Sequence, residues 1–267
     1  MNAGFTTSDR VRLALSVSGD GRPMVFQHGL CGDAGQTEPV FPHGMGFQRL
    51  TLECRGHGAS EPGPFDRLSI ATFTNDLAGM IAARGLGQPV VGGISMGAAI
   101  ALRLAVTRPD LVGALVLARP AWAVAAGPAN MAPNALVGQL LADHAPNAAR
   151  VLFEASPIAA QLAHEAPDNL ASLRGFFGRK PVAVTSALLT RISADGPGVT
   201  AADLVALRLP VLVIGTGRDH VHPLDLAQDL AQVIRGARFV EITPKSTDPV
   251  AYRADFAAAL AQFLQGL

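Results

Sequence analysis

Short apolar runs and stretches of helical spacing take turns along most of this chain. Residues 10–18 alternate apolar and polar side chains, with Val11 and Leu13 on one face, which predicts a half-buried strand closed by the turn Gly19-Asp20-Gly21-Arg22-Pro23. Residues 24–27, 90–94, 113–118 and 211–214 are mainly apolar runs that predict buried strands, and 47–53 and 238–242 predict two more. Between them, helical spacing predicts helices over about 71–84, 96–107, 224–235 and 250–263. Strand and helix in steady alternation imply an α/β fold, a mostly parallel central sheet with helices on both faces.

Residues 120–207 break the rhythm. The stretch is Ala-rich, helical in patches, cut by Pro128, Pro133, Pro146, Pro157, Pro167, Pro181 and Pro197, and contains no convincing strand. It reads as a helical cap inserted into a core made of residues 1–119 and 208–267. Trp122, Phe153, Phe176 and Phe177 are its aromatic residues, available either to line a cavity or to form the cap's own core.

The candidate chemistry sits in the loops that follow the strands, where ligands bind in such sheets. The stretch Gly93-Ile94-Ser95-Met96-Gly97 joins a buried strand to a helix free of internal Gly or Pro. A serine on such a turn is pushed out above the sheet, and small residues two before and two after it let neighbouring backbone pass close. The helix N-terminus beside it favours a developing negative charge. Gly-rich loops also follow the strands at His28-Gly29-Leu30-Cys31, at Arg55-Gly56-His57-Gly58 and from Gly215 to Pro223.

Composition narrows the partners. The 267 residues carry 21 basic and 21 acidic side chains, 49% hydrophobic content and 16% charge, which gives no electrostatic case for nucleic acid or an anionic membrane. The expected partner is a small, largely uncharged molecule. Cys31 and Cys54 make no disulfide framework, no Cys/His spacing suits a metal, and nothing calls for a cofactor. Neither a secretory leader nor an apolar run near the roughly 20 residues of a membrane span is seen, so a cytoplasmic protein is expected.

These motifs resemble the α/β-hydrolase fold superfamily over nearly the whole chain. His28-Gly29-Leu30 stands where the family places an oxyanion amide, Glu53-x-Arg55-Gly56-His57-Gly58-x-Ser60 resembles its acidic-x-R-G-x-G-x-S loop, and Gly93-x-Ser95-x-Gly97 resembles its nucleophile turn. By position the resemblance makes Asp219 the acid and implies that the amides of Leu30 and Met96 hold an oxyanion. It departs at one place: the family's histidine follows the last strand, whereas the corresponding loop here reads Thr243-Pro244-Lys245-Ser246-Thr247-Asp248, and no histidine occurs after His222.

A serine hydroxyl needs a base within hydrogen-bond reach. His222, three residues past Asp219, is the first candidate, with a structural histidine before Pro223 as the other reading. His220 shares its loop. Lys245 is the second, if burial lowers its pKa, against a surface lysine. His28 is expected to support the oxyanion loop and His57 to brace its own turn, while Cys31 either lines the pocket or is a small buried hydrophobe. The expected reaction is acyl transfer from a small ester, thioester or lactone through Ser95, without metal or cofactor. The alternative is an altered hydrolase fold that binds a ligand or performs elimination or proton transfer.

Overall fold

The computed structural model describes residues 3–267. Eight strands form one sheet: β1 (Ala3–Thr6), β2 (Arg12–Ser18), β3 (Arg22–Gln27), β4 (Phe47–Leu52), β5 (Val90–Ile94), β6 (Ala114–Ala118), β7 (Val211–Thr216) and β8 (Arg238–Ile242). Their spatial order is β1-β2-β4-β3-β5-β6-β7-β8. β1 and β2 are antiparallel to their neighbours, and every pair from β4 onward is parallel. The four-residue edge strand β1 was not anticipated, because so short a segment carries no readable period.

The alternation of side chains across the sheet divides the core. Val91, Leu115, Leu117 and Val213 face α1 (Ile70–Ala83) and α2 (Met96–Thr107), while Val90, Val116, Leu212 and Ile214 face Tyr252, Phe256 and Leu260 of the C-terminal helix. β5, β6 and β7 are buried at every position, so they read as continuous apolar runs rather than alternating ones. Burying a single Leu or Val here stabilises by about 1.5–3 kcal/mol.

Between β6 and β7 lie six helices: α3 (Ala132–Asp143), α4 (Pro146–Glu154), α5 (Pro157–Glu165), α6 (Pro167–Phe176), α7 (Val182–Ala194) and α8 (Ala201–Ala206). The prolines of this region start helices rather than merely interrupting them. Pro146, Pro157 and Pro167 are each the first helical residue, where a missing N–H costs nothing, and Pro181 is the residue before α7. After β7 come α9 (Leu224–Val233) and, after β8, α10 (Pro249–Gln265). Among the described residues no helix is long and apolar enough to cross a membrane.

Three of the four aromatic residues of this stretch, Trp122, Phe153 and Phe177, take the core alternative. Trp122 is 1% exposed and donates its indole N–H to the Asp195 carbonyl at 2.9 Å, which fixes it beneath the inserted helices. Phe153 and Phe177 are buried against each other, their ring centroids 5.7 Å apart, so of the cap aromatics only Phe176 borders the cavity described next.

Candidate active site

Ser95 stands between β5 and α2 with φ 57° and ψ −113°, a backbone conformation that costs free energy for a residue bearing a side chain. The two flanking glycines make the bend possible. A Cβ on Gly93 would lie 2.5 Å from the Gly97 carbonyl carbon, and one on Gly97 would lie 2.5 Å from the Gln27 carbonyl oxygen. Alanine at either place would force strand and helix apart.

The bend delivers the serine oxygen to an imidazole. His222 Nε2 lies 2.8 Å from Ser95 Oγ, and His222 Nδ1 lies 2.8 Å from Asp219 Oδ1. Asp219 also accepts the backbone N–H of His222 at 3.1 Å, so acid and imidazole belong to one tight turn after β7. The carboxylate can only accept, so Nδ1 carries the proton and Nε2 is left to accept from the serine hydroxyl. The geometry selects the tautomer.

The carboxylate is held from three directions. The Asn169 amide on α6 donates to Asp219 Oδ1 at 2.9 Å, and its oxygen accepts the backbone N–H groups of His220 and Val221. Arg119, at the end of β6 with φ 45°, donates to Asp219 Oδ2 through Nε at 2.9 Å and Nη2 at 2.5 Å. Its Nη1 reaches the Tyr252 hydroxyl at 3.3 Å. Burial opposes the charge of Asp219, yet Arg119 and His222 outweigh it and hold the carboxyl well below the usual carboxylate range. Burial pushes His222 below its ordinary value, Asp219 pulls it back, and Arg119, with Nη2 3.2 Å from Nδ1, pushes the same way as burial. The imidazole is therefore neutral, as a proton acceptor must be.

Among the described residues, the N–H groups of Leu30 and Met96 make no hydrogen bond. Met96 is the first residue of α2, so its amide has no partner within the helix. The Gly29–Gly32 turn, in which Cys31 has φ 59°, places Leu30 at the cavity wall. Leu30, Cys31, Ser95 and His222 all border one cavity of about 680 Å³, roofed by α3, α6 and the loop after α6.

The remaining expected residues take other positions. His28 is fully buried, with Nδ1 2.8 Å from the Gly29 carbonyl and Nε2 accepting the Cys54 N–H at 3.0 Å; it supports the oxyanion loop without reaching the cavity. His57 packs against it with the rings tilted by 43° and 4.8 Å between centroids. Cys31 borders the cavity, and burial pushes its thiol up to about 12, so it is unreactive as a thiolate. His220 engages Asn169 through its backbone and does not border the cavity. Lys245 borders the cavity, but its Nζ pairs with Asp168 at 2.8 Å and makes no hydrogen bond to Ser95. Asn169 and Arg119 escaped sequence reasoning altogether, since neither lies in a motif and each reaches Asp219 only across the fold.

The description of the alpha/beta hydrolase fold family matches residues 22–246. The chain belongs to that family. It is 26% identical to an AB hydrolase superfamily protein, YisY, of Bacillus subtilis over 258 residues, covering 88% of each chain. A shorter match, 33% identical over 117 residues, relates 42% of the chain to the sn-1-specific diacylglycerol lipase ABHD11 of Danio rerio and spans only 36% of that protein. Among solved structures, the enol-lactonase of Burkholderia xenovorans superposes with a TM-score of 0.72 at 22% identity, covering 98% of this hydrolase-fold chain and 100% of that one.

Proposed function

We propose that this hydrolase-fold protein cleaves a small ester, thioester or lactone by acyl transfer through Ser95 to water. The observation that carries the reading is the unbroken relay from Ser95 Oγ to His222 Nε2 and from His222 Nδ1 to Asp219, with 2.8 Å at each step. His222 removes the hydroxyl proton as Ser95 attacks the carbonyl, and the amides of Leu30 and Met96 receive the oxyanion. Each such amide contributes about 3 kcal/mol to the transition state. His222 then passes its proton to the leaving oxygen, or to sulfur for a thioester, and a water repeats the sequence to release the acid. Asp219 fixes the tautomer and stabilises the imidazolium. The relatives named lipase and enol-lactonase act on ester and lactone bonds, which agrees with this class.

The test is labelling with a serine-directed phosphonate together with turnover of 4-nitrophenyl acetate. The wild type is expected to gain one phosphonyl group by intact mass and to release nitrophenolate, and Ser95→Ala to do neither. Absence of labelling at high probe concentration would remove the nucleophile and leave a ligand-binding hydrolase fold.

A further inference from the structure

We propose that the acyl chain of the substrate ends in a carboxylate, and that Arg179 in the loop after α6 binds it; this deepens, and rests on, the hydrolase reading above. Four cationic side chains border the cavity: Arg119, Arg179, Lys245 and Arg253. Arg119 is neutralised by Asp219 and Lys245 by Asp168. Arg253 stands exposed on α10, where water solvates it. Arg179 is half-buried, and among the described residues it has no acidic partner. Asp33, the remaining carboxylate on that wall, caps its own turn by accepting the Gly35 N–H at 2.8 Å. A guanidinium withdrawn from water without a counter-ion is costly, and a ligand anion would remove that cost.

The guanidinium is also aimed. Arg179 Nη2 donates to the Gly56 carbonyl at 2.6 Å, and Nη1 donates to Thr185 Oγ1 at 3.1 Å. Gly56 permits this approach, since a Cβ there would lie 2.8 Å from Val184 Cγ1 of α7. Two of five donors are thus spent on fixing the plane, and the others remain for a two-point contact with a carboxylate.

Position assigns the anion to the acyl half. The leaving oxygen has to face His222 Nε2, which must protonate it, so the acyl substituent extends away from that imidazole. Arg179 lies on the other flank, bonded to the Gly56 carbonyl next to His57 and lining the cavity with Cys31. The near-zero net charge of the chain suggested an uncharged ligand, but that sum describes the whole surface, whereas this wall of the cavity carries an unanswered positive charge.

The experiment compares kcat/KM for monomethyl succinate, glutarate and adipate with methyl esters in which an isopropyl group replaces the carboxylate. The expected result is a preference of about tenfold or more for at least one anionic ester, consistent with a charge-assisted pair. Arg179→Met is expected to erase that ratio, and Arg179→Lys to keep part of it. If the Met variant does not fold, the wild-type ratio decides, together with inhibition by glutarate measured against glutaramide. Equal use of the neutral esters, or a ratio unmoved in Arg179→Met, overturns this proposal alone. A protein that cleaves neither series and also resists the serine-directed phosphonate overturns the hydrolase reading with it.

Discussion

The loops after β7 and β8 lie on neighbouring strands at the same edge of the sheet, yet they hold very different residues. The first packs Asp219 and His222 into one turn, three residues apart, and joins them both to each other and to Ser95. The second offers Lys245, which spans to Asp168 of α6. The difference teaches that the reaction constrains where a ring nitrogen stands relative to the serine oxygen, not which loop supplies it. Sharing one loop also lets the imidazole and the acid share their support. Asn169 and Arg119 brace the turn from the inserted helices and from β6.

The harshest way to break this comparison is to delete the base from the first loop. His222→Ala is expected to lower kcat/KM for 4-nitrophenyl acetate by about 10³–10⁴-fold. A collapse in Lys245→Ala with survival of His222→Ala would transfer the role to the second loop.

A pH profile sharpens the comparison next. His222 must be neutral to accept a proton, and its pKa lies below the ordinary value, so activity is expected to hold through neutral pH and to fall only at more acid pH. Arg119 disfavours the imidazolium, so removing it raises the pKa of His222. In Arg119→Met the acid limb of kcat/KM is expected to move to higher pH. An unmoved limb would mean that Arg119 acts only as a strut for Asp219.

Smaller effects separate the two loops further. Asn169→Ala removes the amide that holds both Asp219 and the backbone of His220 and Val221, and kcat is expected to drop about fivefold while phosphonate labelling persists. Lys245→Ala loses only a half-exposed ion pair, and a change below about 1 kcal/mol in stability on urea unfolding is expected.

The legible parts of the molecule share a property: their causes are local. The apolar runs of β5, β6 and β7, and the glycines at 93 and 97, announce a buried sheet and a sharp turn through spacing alone. Trp122 shows the opposite case. Its place in the inserted region left cavity wall and core both open, and only packing revealed that its N–H is spent on the Asp195 carbonyl. The prolines of the insertion misled in a milder way, because a proline that ends one helix and a proline that begins the next look alike until the backbone is seen.

By itself the sequence determined that strands and helices alternate and that one serine sits on a tight bend, because periodicity and glycine placement act over a few residues. It also determined that no imidazole follows His222. The tertiary structure decided that His222 lies against Ser95 across 127 positions of chain, that Lys245 is drawn to Asp168, and that Arg179 has no acidic partner among the described residues. Those outcomes depend on how the inserted helices settle over the sheet, and distance between side chains far apart in sequence is fixed only once the whole core has packed.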